Sequence, residues 1–422
     1  MKNNSPHMVK NVKIVFLGIF TVTCITFHAM RVSIHIVCPE SSTTDNILRI
    51  VYDCEISLFY VLQFTFIVLY SKRIVYPSCL THFGATVLAV TNAATFISHS
   101  TKAYFEEKGD HQRITDCLNQ TITYEVYHST KPFLDPTLLE NALFAILFIN
   151  DIFPSYKVRS GEDNPATDQT LKESRAVELP VNAQSKRPIR KWISIVCFGS
   201  IICSPYVVIR LVQSHYDHKQ PFALYITQTV FFLIFKSLNY LAVIKCFYFL
   251  RVKGQQHVKS ATISLNLSHY LILLSAFGTV IYFGLHLIAS FVSREKLYLM
   301  GNIMNVMATF IQTILILQMK DYQKINDKTK ISSISNMFLF LSITNLGLWV
   351  YATFIEAHFV YKQFYAVQFY GSETMLTVKN IVLPMCIFFR FKCFLAFLDL
   401  SGYSFSCICN KQTSKRENYE RM

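Results

Sequence analysis

Residues 267–292 read LSHYLILLSAFGTVIYFGLHLIASFV, and this stretch decides the fold class of the chain. It contains no Asp, Glu, Lys or Arg. It is also longer than the roughly 20 apolar residues that a helix needs to cross a bilayer. Its polar residues do not alternate with apolar ones, as they would in a strand of a transmembrane barrel. The stretch therefore predicts a membrane-spanning helix.

Nine more apolar runs make the same prediction. Only 16% of the 422 residues are charged, whereas soluble proteins carry about 25% charged residues. The sequence therefore predicts an all-α fold, a polytopic transmembrane helical bundle of about ten spans in two helical halves. The predicted spans are residues 14–37, 47–70, 81–100, 138–156, 192–213, 222–249, 267–292, 298–318, 334–358 and 376–398.

The basic residues predict the orientation of these spans. The net charge is +14, but the Lys and Arg residues lie in loops between apolar runs, so nucleic acid is not an expected partner. With the N-terminus in the cytoplasm, the inner segments hold 24 Lys and Arg and the outer loops hold 8. By the positive-inside rule both termini are cytoplasmic. The acceptor sequence at Asn119 then lies outside, where glycosylation requires it.

One polar loop divides the chain. Residues 157–191 contain three prolines and eight Lys and Arg, which predicts a cytoplasmic linker. It separates an N-terminal half, residues 1–156 with about four spans, from a C-terminal half, residues 192–400 with about six. Residues 401–422 form a predicted cytoplasmic tail.

Polar and ionisable residues inside predicted spans are the functional candidates, because such residues are costly in lipid. Side chains near a span end also have a simpler explanation, which is that they reach the interface. The Asn residues can serve as hydrogen bonds between helices, and the His residues can be neutral members of the bundle. The candidates are Asn92, Glu140, His269, His286, Gln312, Asn345, Glu356, Asn380, Arg390 and Lys392, with Asp151, Lys236 and Lys379 as weaker ones.

No motif for catalysis accompanies them. The sequence has no GxSxG, HExxH, Walker or DxD pattern, and no CxxC pair with zinc-ligand spacing. We therefore expect neither an enzyme nor a bound cofactor or metal.

Several short motifs together resemble the otopetrin family of proton channels. They occur in the order and at the spacing of that family over about residues 60–400. They are FG at 83–84, TN at 91–92, the segment 133–144, QT at 312–313, NLGLW at 345–349, TF at 353–354, FYG at 369–371, LP at 383–384 and IFFRF at 387–391.

The resemblance implies a proton channel with twelve spans in two six-helix halves, assembled as a dimer. It places the start of this chain at the third family helix. It also implies protons as the transported species and membrane lipid, sterol included, as a partner, with the plasma membrane as the location. Two positions that carry His in the family are occupied here by Val87 and Lys392.

The same resemblance assigns roles to single residues. It implies that Asn345 and Asn380 belong to a polar cluster between the halves, and that Glu140 faces Lys392. We expect those two residues to form a charge pair, which leaves His269 and His286 as the candidates for a pH switch. A non-conducting subunit, a chemosensory receptor and a secondary transporter remain as alternatives.

Overall fold

A computed structural model describes residues 7–37, 43–71, 79–109, 122–152, 193–201, 204–205, 208, 222–253, 267–319, 328–356 and 364–401. The described regular structure is helical throughout, so the predicted all-α class is confirmed. The linker 157–191, Asn119 and the tail after Ser401 lie outside these residues.

The first four long helices come from the N-terminal part of the chain. They are α1 (His7–Val37), α2 (Thr43–Ser71), α3 (Cys79–Gly109) and α4 (Ile122–Ile152). Helix α4 bends by 53° between Lys131 and Leu134. Pro136 accounts for the bend, because a proline ring clashes with the carbonyl four residues earlier and removes one helical hydrogen bond.

The remaining helices follow after residue 221. They are α5 (Phe222–Lys253), α6 (Leu267–Val292), α7 (Lys296–Met319), α8 (Lys328–Tyr351), α9 (Phe364–Tyr370), α10 (Ser372–Thr377) and α11 (Leu383–Ser401). Two π-helical turns interrupt this series, Ala352–Glu356 directly after α8 and Val378–Val382 directly before α11. Such turns are rare in proteins, and those that occur often lie at functional sites.

Within the described residues, seven helices are long and apolar enough to cross a membrane, and the bent α4 adds an eighth. Helix α3 occupies the third predicted span but is not among them, and the fifth predicted span is described only in part. The polytopic helical bundle is thus confirmed, with seven to eight of the ten predicted spans meeting the length and composition criteria.

Helix α11 is the centre of the bundle. Its long span with α10 is the most buried of the seven, whereas α2 exposes most of its surface. Helix α11 packs against α8, α6, α4 and α1. The main apolar core forms where these five helices meet, from residues such as Phe20, Phe144, Trp349 and Phe391.

Candidate functional site

Glu140 is the buried acid at this junction. It lies on α4 with 2% of its surface exposed. Its Oε1 accepts a hydrogen bond from the indole Nε1 of Trp349 at 2.8 Å and one from the hydroxyl of Thr353 at 3.2 Å. Its second oxygen, Oε2, has no hydrogen-bond partner among the described residues. One carboxyl oxygen is thus fixed by neutral donors, and the other is open to a further partner.

The two donors come from opposite sides of a change in helix type. Trp349 lies in the last turn of α8, and Thr353 lies in the π-helical turn that follows. Residues four apart in sequence lie on one face of a helix, so both side chains can reach one acceptor. Glu140 is thereby tied to the C-terminal helices although it belongs to the N-terminal ones.

Aromatic rings close around Trp349. We call Phe16, Phe20, Phe144, Trp349 and Phe391 the aromatic cluster. Phe391 is central to it, with its ring centroid 5.0 Å from those of Phe16 and Phe144 and 5.3 Å from that of Trp349. Most of these contacts are edge-to-face, which is a favourable arrangement for aromatic rings. The cluster thus packs aromatic rings around the residue whose indole holds the Glu140 carboxyl group.

The predicted charge pair between Glu140 and Lys392 is wrong. The Nζ of Lys392 donates to the hydroxyl of Ser268 at 2.9 Å, and among the described residues the Glu140 carboxyl group is bonded only to Trp349 and Thr353. The helical repeat explains the error. On α11 it is Phe391 that faces α4, and the next residue points about 100° away. Lys392 therefore reaches the start of α6 and not Glu140.

Arg390 lies one position before Phe391 and is 3% exposed. Neither of its terminal nitrogens has a hydrogen-bond partner in the part of the chain that the structure describes. Buried terminal nitrogens without hydrogen-bond partners are unusual, because they lose the hydrogen bonds that water would give them.

The uncharged candidates are also buried, and among the described residues no hydrogen bond joins one of them to another. The amide nitrogens of Asn92 and Asn345 donate to carbonyls of their own helices, Leu88 and Leu341, at 2.8 Å each. The described residues show no hydrogen bond between Asn345 and Asn380. Four amide atoms are buried without a hydrogen-bond partner among those residues: Oδ1 of Asn92, Oδ1 of Asn345, Nδ2 of Asn380 and Oε1 of Gln312.

The remaining ionisable candidates lie on α6 and near the end of α8. Glu356 accepts a hydrogen bond from the Tyr282 hydroxyl at 2.9 Å. The ring of His286 lies 4.7 Å from that of Tyr282, and within the described ranges neither His286 nitrogen has a hydrogen-bond partner. His269 is half-buried in the first turn of α6. The two histidines lie seventeen positions apart, which is about 25 Å of helix, so they do not form one switch.

The sequence analysis assigned no role to some residues of these sites. Trp349 and Thr353 entered it only as members of family motifs, and Tyr282 did not enter it, because a search for charged side chains does not flag neutral donors. His28 and Asp53 are a different case. Both are ionisable residues inside predicted spans, and the rule that selected Glu140 applies to them equally. The structure buries both completely and joins them, at 2.9 Å between His28 Nδ1 and Asp53 Oδ1.

The long apolar helices around a buried acid define an integral membrane protein of the α-helical class. The Otopetrin family profile matches residues 92–391, which is most of the chain. The protein belongs to the otopetrin family, and at the level of the family it is a membrane protein of the proton-channel type. A search of curated proteins finds no match.

Proposed function

We propose that this protein conducts protons across the plasma membrane when the external side is acidified, and that Glu140 exchanges the proton. The main support for this proposal is the geometry of the Glu140 carboxyl group. It is buried, it is oriented by Trp349 and Thr353, and its Oε2 has no partner among the described residues. Membership of the otopetrin family supports the same function.

A proton needs no open pore, because it can pass along hydrogen-bonded water and titratable side chains, and such relays use carboxyl groups within the membrane. In this mechanism Oε2 binds a proton that arrives through water from one side and releases it toward the other. Trp349 is a donor only and does not carry the proton. Its indole and the Thr353 hydroxyl hold Oε1, which keeps Oε2 turned to the relay.

Selectivity follows from the surroundings of the acid. The aromatic cluster packs against Trp349 at the junction of α1, α4, α8 and α11. A hydrated sodium or potassium ion would have to displace these rings or lose its water, and both are costly in an apolar constriction. A proton needs only one chain of hydrogen bonds.

Water can complete this chain, since buried waters bind where polar atoms lack protein partners. Candidate sites are the partnerless atoms of Asn92, Gln312, Asn345 and Asn380. We further propose that the protein acts as a homodimer among membrane lipids, as its family implies.

The experiment is whole-cell recording with imaging of intracellular pH in cells that express the protein at their surface. Wild type should give an inward current on external acidification that persists when sodium is replaced. Glu140→Gln removes the exchangeable carboxyl and should reduce the current about tenfold or more. Glu125→Gln is the matched control, because Glu125 is an exposed acid on the same helix; it should conduct like wild type.

Two outcomes count against the proposal. A wild-type protein that reaches the surface but gives no current is a non-conducting subunit. A sodium-dependent current indicates a transporter. If wild type conducts and Glu140→Gln conducts equally well, the protons take another route through the bundle.

A further inference from the structure

A second buried group of ionisable side chains joins α1, α2 and α3. Asp53 of α2 and His28 of α1 have no exposed surface, and His28 Nδ1 lies 2.9 Å from Asp53 Oδ1. Arg31 Nε and His35 Nε2 lie 3.6 Å and 3.8 Å from Asp53 Oδ2. His28, Arg31 and His35 follow a spacing of three and four residues, so one face of α1 presents three basic groups to one carboxylate.

The two ring nitrogens of His28 differ, since Nδ1 is hydrogen-bonded to Asp53 and Nε2 has no hydrogen-bond partner among the described residues. Because a carboxylate only accepts, the 2.9 Å contact requires the proton on Nδ1, which leaves Nε2 as the acceptor in the neutral ring. Nε2 is buried without a hydrogen-bond partner in the described part of the chain, and so is the hydroxyl of Tyr60. The Tyr60 ring lies 6.0 Å from the His28 ring.

The third helix adds another imidazole. The ring of His99 on α3 lies 5.9 Å from that of His28. Helix α4 packs beside them and contributes Tyr127, 5.8 Å from Phe27. The Lys131 ammonium lies 5.9 Å from the Tyr127 ring. The groups around His28 are therefore one acid, one guanidinium, two further imidazoles, one phenol in direct ring contact and a more distant ammonium.

A purely structural role does not explain this composition. One arginine suffices to pair with one aspartate, and a buried ion pair adds little stability compared with apolar packing. Imidazole is the side chain whose charge changes between about pH 5 and 8. Two imidazoles at one carboxylate, with the His99 ring beside them, make a site whose net charge depends on acidity.

We propose that His28 and Asp53 form a second proton-binding site, which sets the external pH at which the protein conducts. This inference rests on the proposed function and names a regulatory site for it. The proton is added at His28 Nε2, and Nδ1–H stays bonded to Asp53. The new positive charge lies against the Asp53 carboxylate, so it strengthens the contact that joins α1 to α2 and competes with Arg31 and His35 for that carboxylate.

The location fits this role. The site lies in the last third of α1 and the first half of α2, at the end of the bundle that the charge distribution predicts to be external. Both helices precede the segment that matches the family profile. Glu140 lies on a different helix and has no bond to either residue, so the two sites can be tested separately.

The first measurement needs no conduction. The purified protein, with its 13 histidines isotopically labelled, is placed in nanodiscs, and its histidine NMR spectrum is recorded between about pH 4.5 and 8.5. The His28 signal is identified by its loss in His28→Gln. It should move with pH in wild type and follow a different curve in Asp53→Asn. A His28 signal that is constant over the whole range overturns the proposal.

The second measurement is the current against external pH. Asp53→Asn and His28→Gln should shift the pH of half-maximal current by about half a unit or more, whereas Glu55→Gln should not. Glu55 is the matched control, because it is an exposed acid two residues from Asp53 on the same helix. An unchanged pH profile in both variants overturns the proposal even if His28 titrates.

These readouts separate the two proposals. If the wild-type protein folds but is silent, the proposed function fails, and with it the regulatory role of this site; the NMR spectrum still decides whether the site binds a proton. If His28→Gln does not fold, Asp53→Asn carries the test, because it keeps every ring of the site and changes only one carboxyl oxygen.

Discussion

At the scale of single residues, Glu140, the buried acid on α4, is held by neutral donors and not by a cation among the described residues. The indole of Trp349 and the hydroxyl of Thr353 both bond to Oε1 of Glu140. A neutral donor orients a carboxyl group without adding a fixed charge beside it. Lys392, the expected partner, bonds to Ser268 instead.

A double-mutant cycle tests this assignment. Glu140→Met removes the acceptor, and Thr353→Val removes one donor while keeping the side-chain shape. The unfolding free energies of the two variants should be non-additive by about 0.5–1.5 kcal/mol, the usual net contribution of one hydrogen bond. The measurement is denaturant unfolding of purified protein in detergent.

The matched cycle pairs Glu140→Met with Lys392→Met. Those two residues share no bond, so their effects should add within about 0.5 kcal/mol. Strong coupling in this second cycle, together with additivity in the first, would restore the ion pair and contradict the hydrogen bonds described here.

At the scale of helices, the contact between α6 and α11 depends on one glycine. A Cβ atom at Gly278 would lie 2.5 Å from Cβ of Met385. That distance is too short for two carbon atoms, and the Cβ of Met385 is fixed to the backbone of α11. The absence of a side chain at Gly278 therefore allows α11 to approach α6 closely, as small residues commonly do between membrane helices.

Gly278→Ala should accordingly push α6 and α11 apart and destabilise the protein by about 1–3 kcal/mol, the usual cost of overpacking. Gly284→Ala on the same helix is the control. A Cβ there meets no atom within 4 Å, and alanine favours helix over glycine by about 0.5–1 kcal/mol. Thermal unfolding in detergent should show a lower midpoint for the first variant only. Equal midpoints would mean that the two helices are farther apart.

At the scale of the whole molecule, orientation in the membrane remains a prediction from charge. The inner segments hold 24 Lys and Arg and the outer loops hold 8, and both diagnostic loops lie outside the described residues. The orientation matters for function, because it decides whether the His28–Asp53 site faces the acidified side.

Two measurements on intact cells test it. Asn119→Gln should remove a glycan and lower the apparent mass, since the asymmetry of basic residues places this loop outside. An epitope inserted in residues 157–191 should become accessible to antibody only after permeabilisation. Labelling of that epitope on unpermeabilised cells would reverse the orientation and move the His28–Asp53 site to the cytoplasmic side.

The sequence by itself determined the membrane class, the helical fold and the family. Long apolar runs predict membrane-spanning helices, because lipid offers no hydrogen-bond partners and a helix pairs its backbone polar groups within its own segment. The family follows from motifs that lie in order along the chain. The sequence also selected Glu140, because a buried acid is costly wherever it sits in a span. Each of these conclusions depends on local properties of the chain.

Only the tertiary structure decided which side chains contact one another. Trp349 and Thr353 are 209 and 213 residues from Glu140, and no local pattern shows which face of α8 meets α4. Lys392 does not contact Glu140, because it follows Phe391 on α11 and points about 100° away from α4. Asp53 contacts His28, which lies 25 residues earlier in the chain. Such contacts depend on the rotation and bending of whole helices, which packing among all of them sets together.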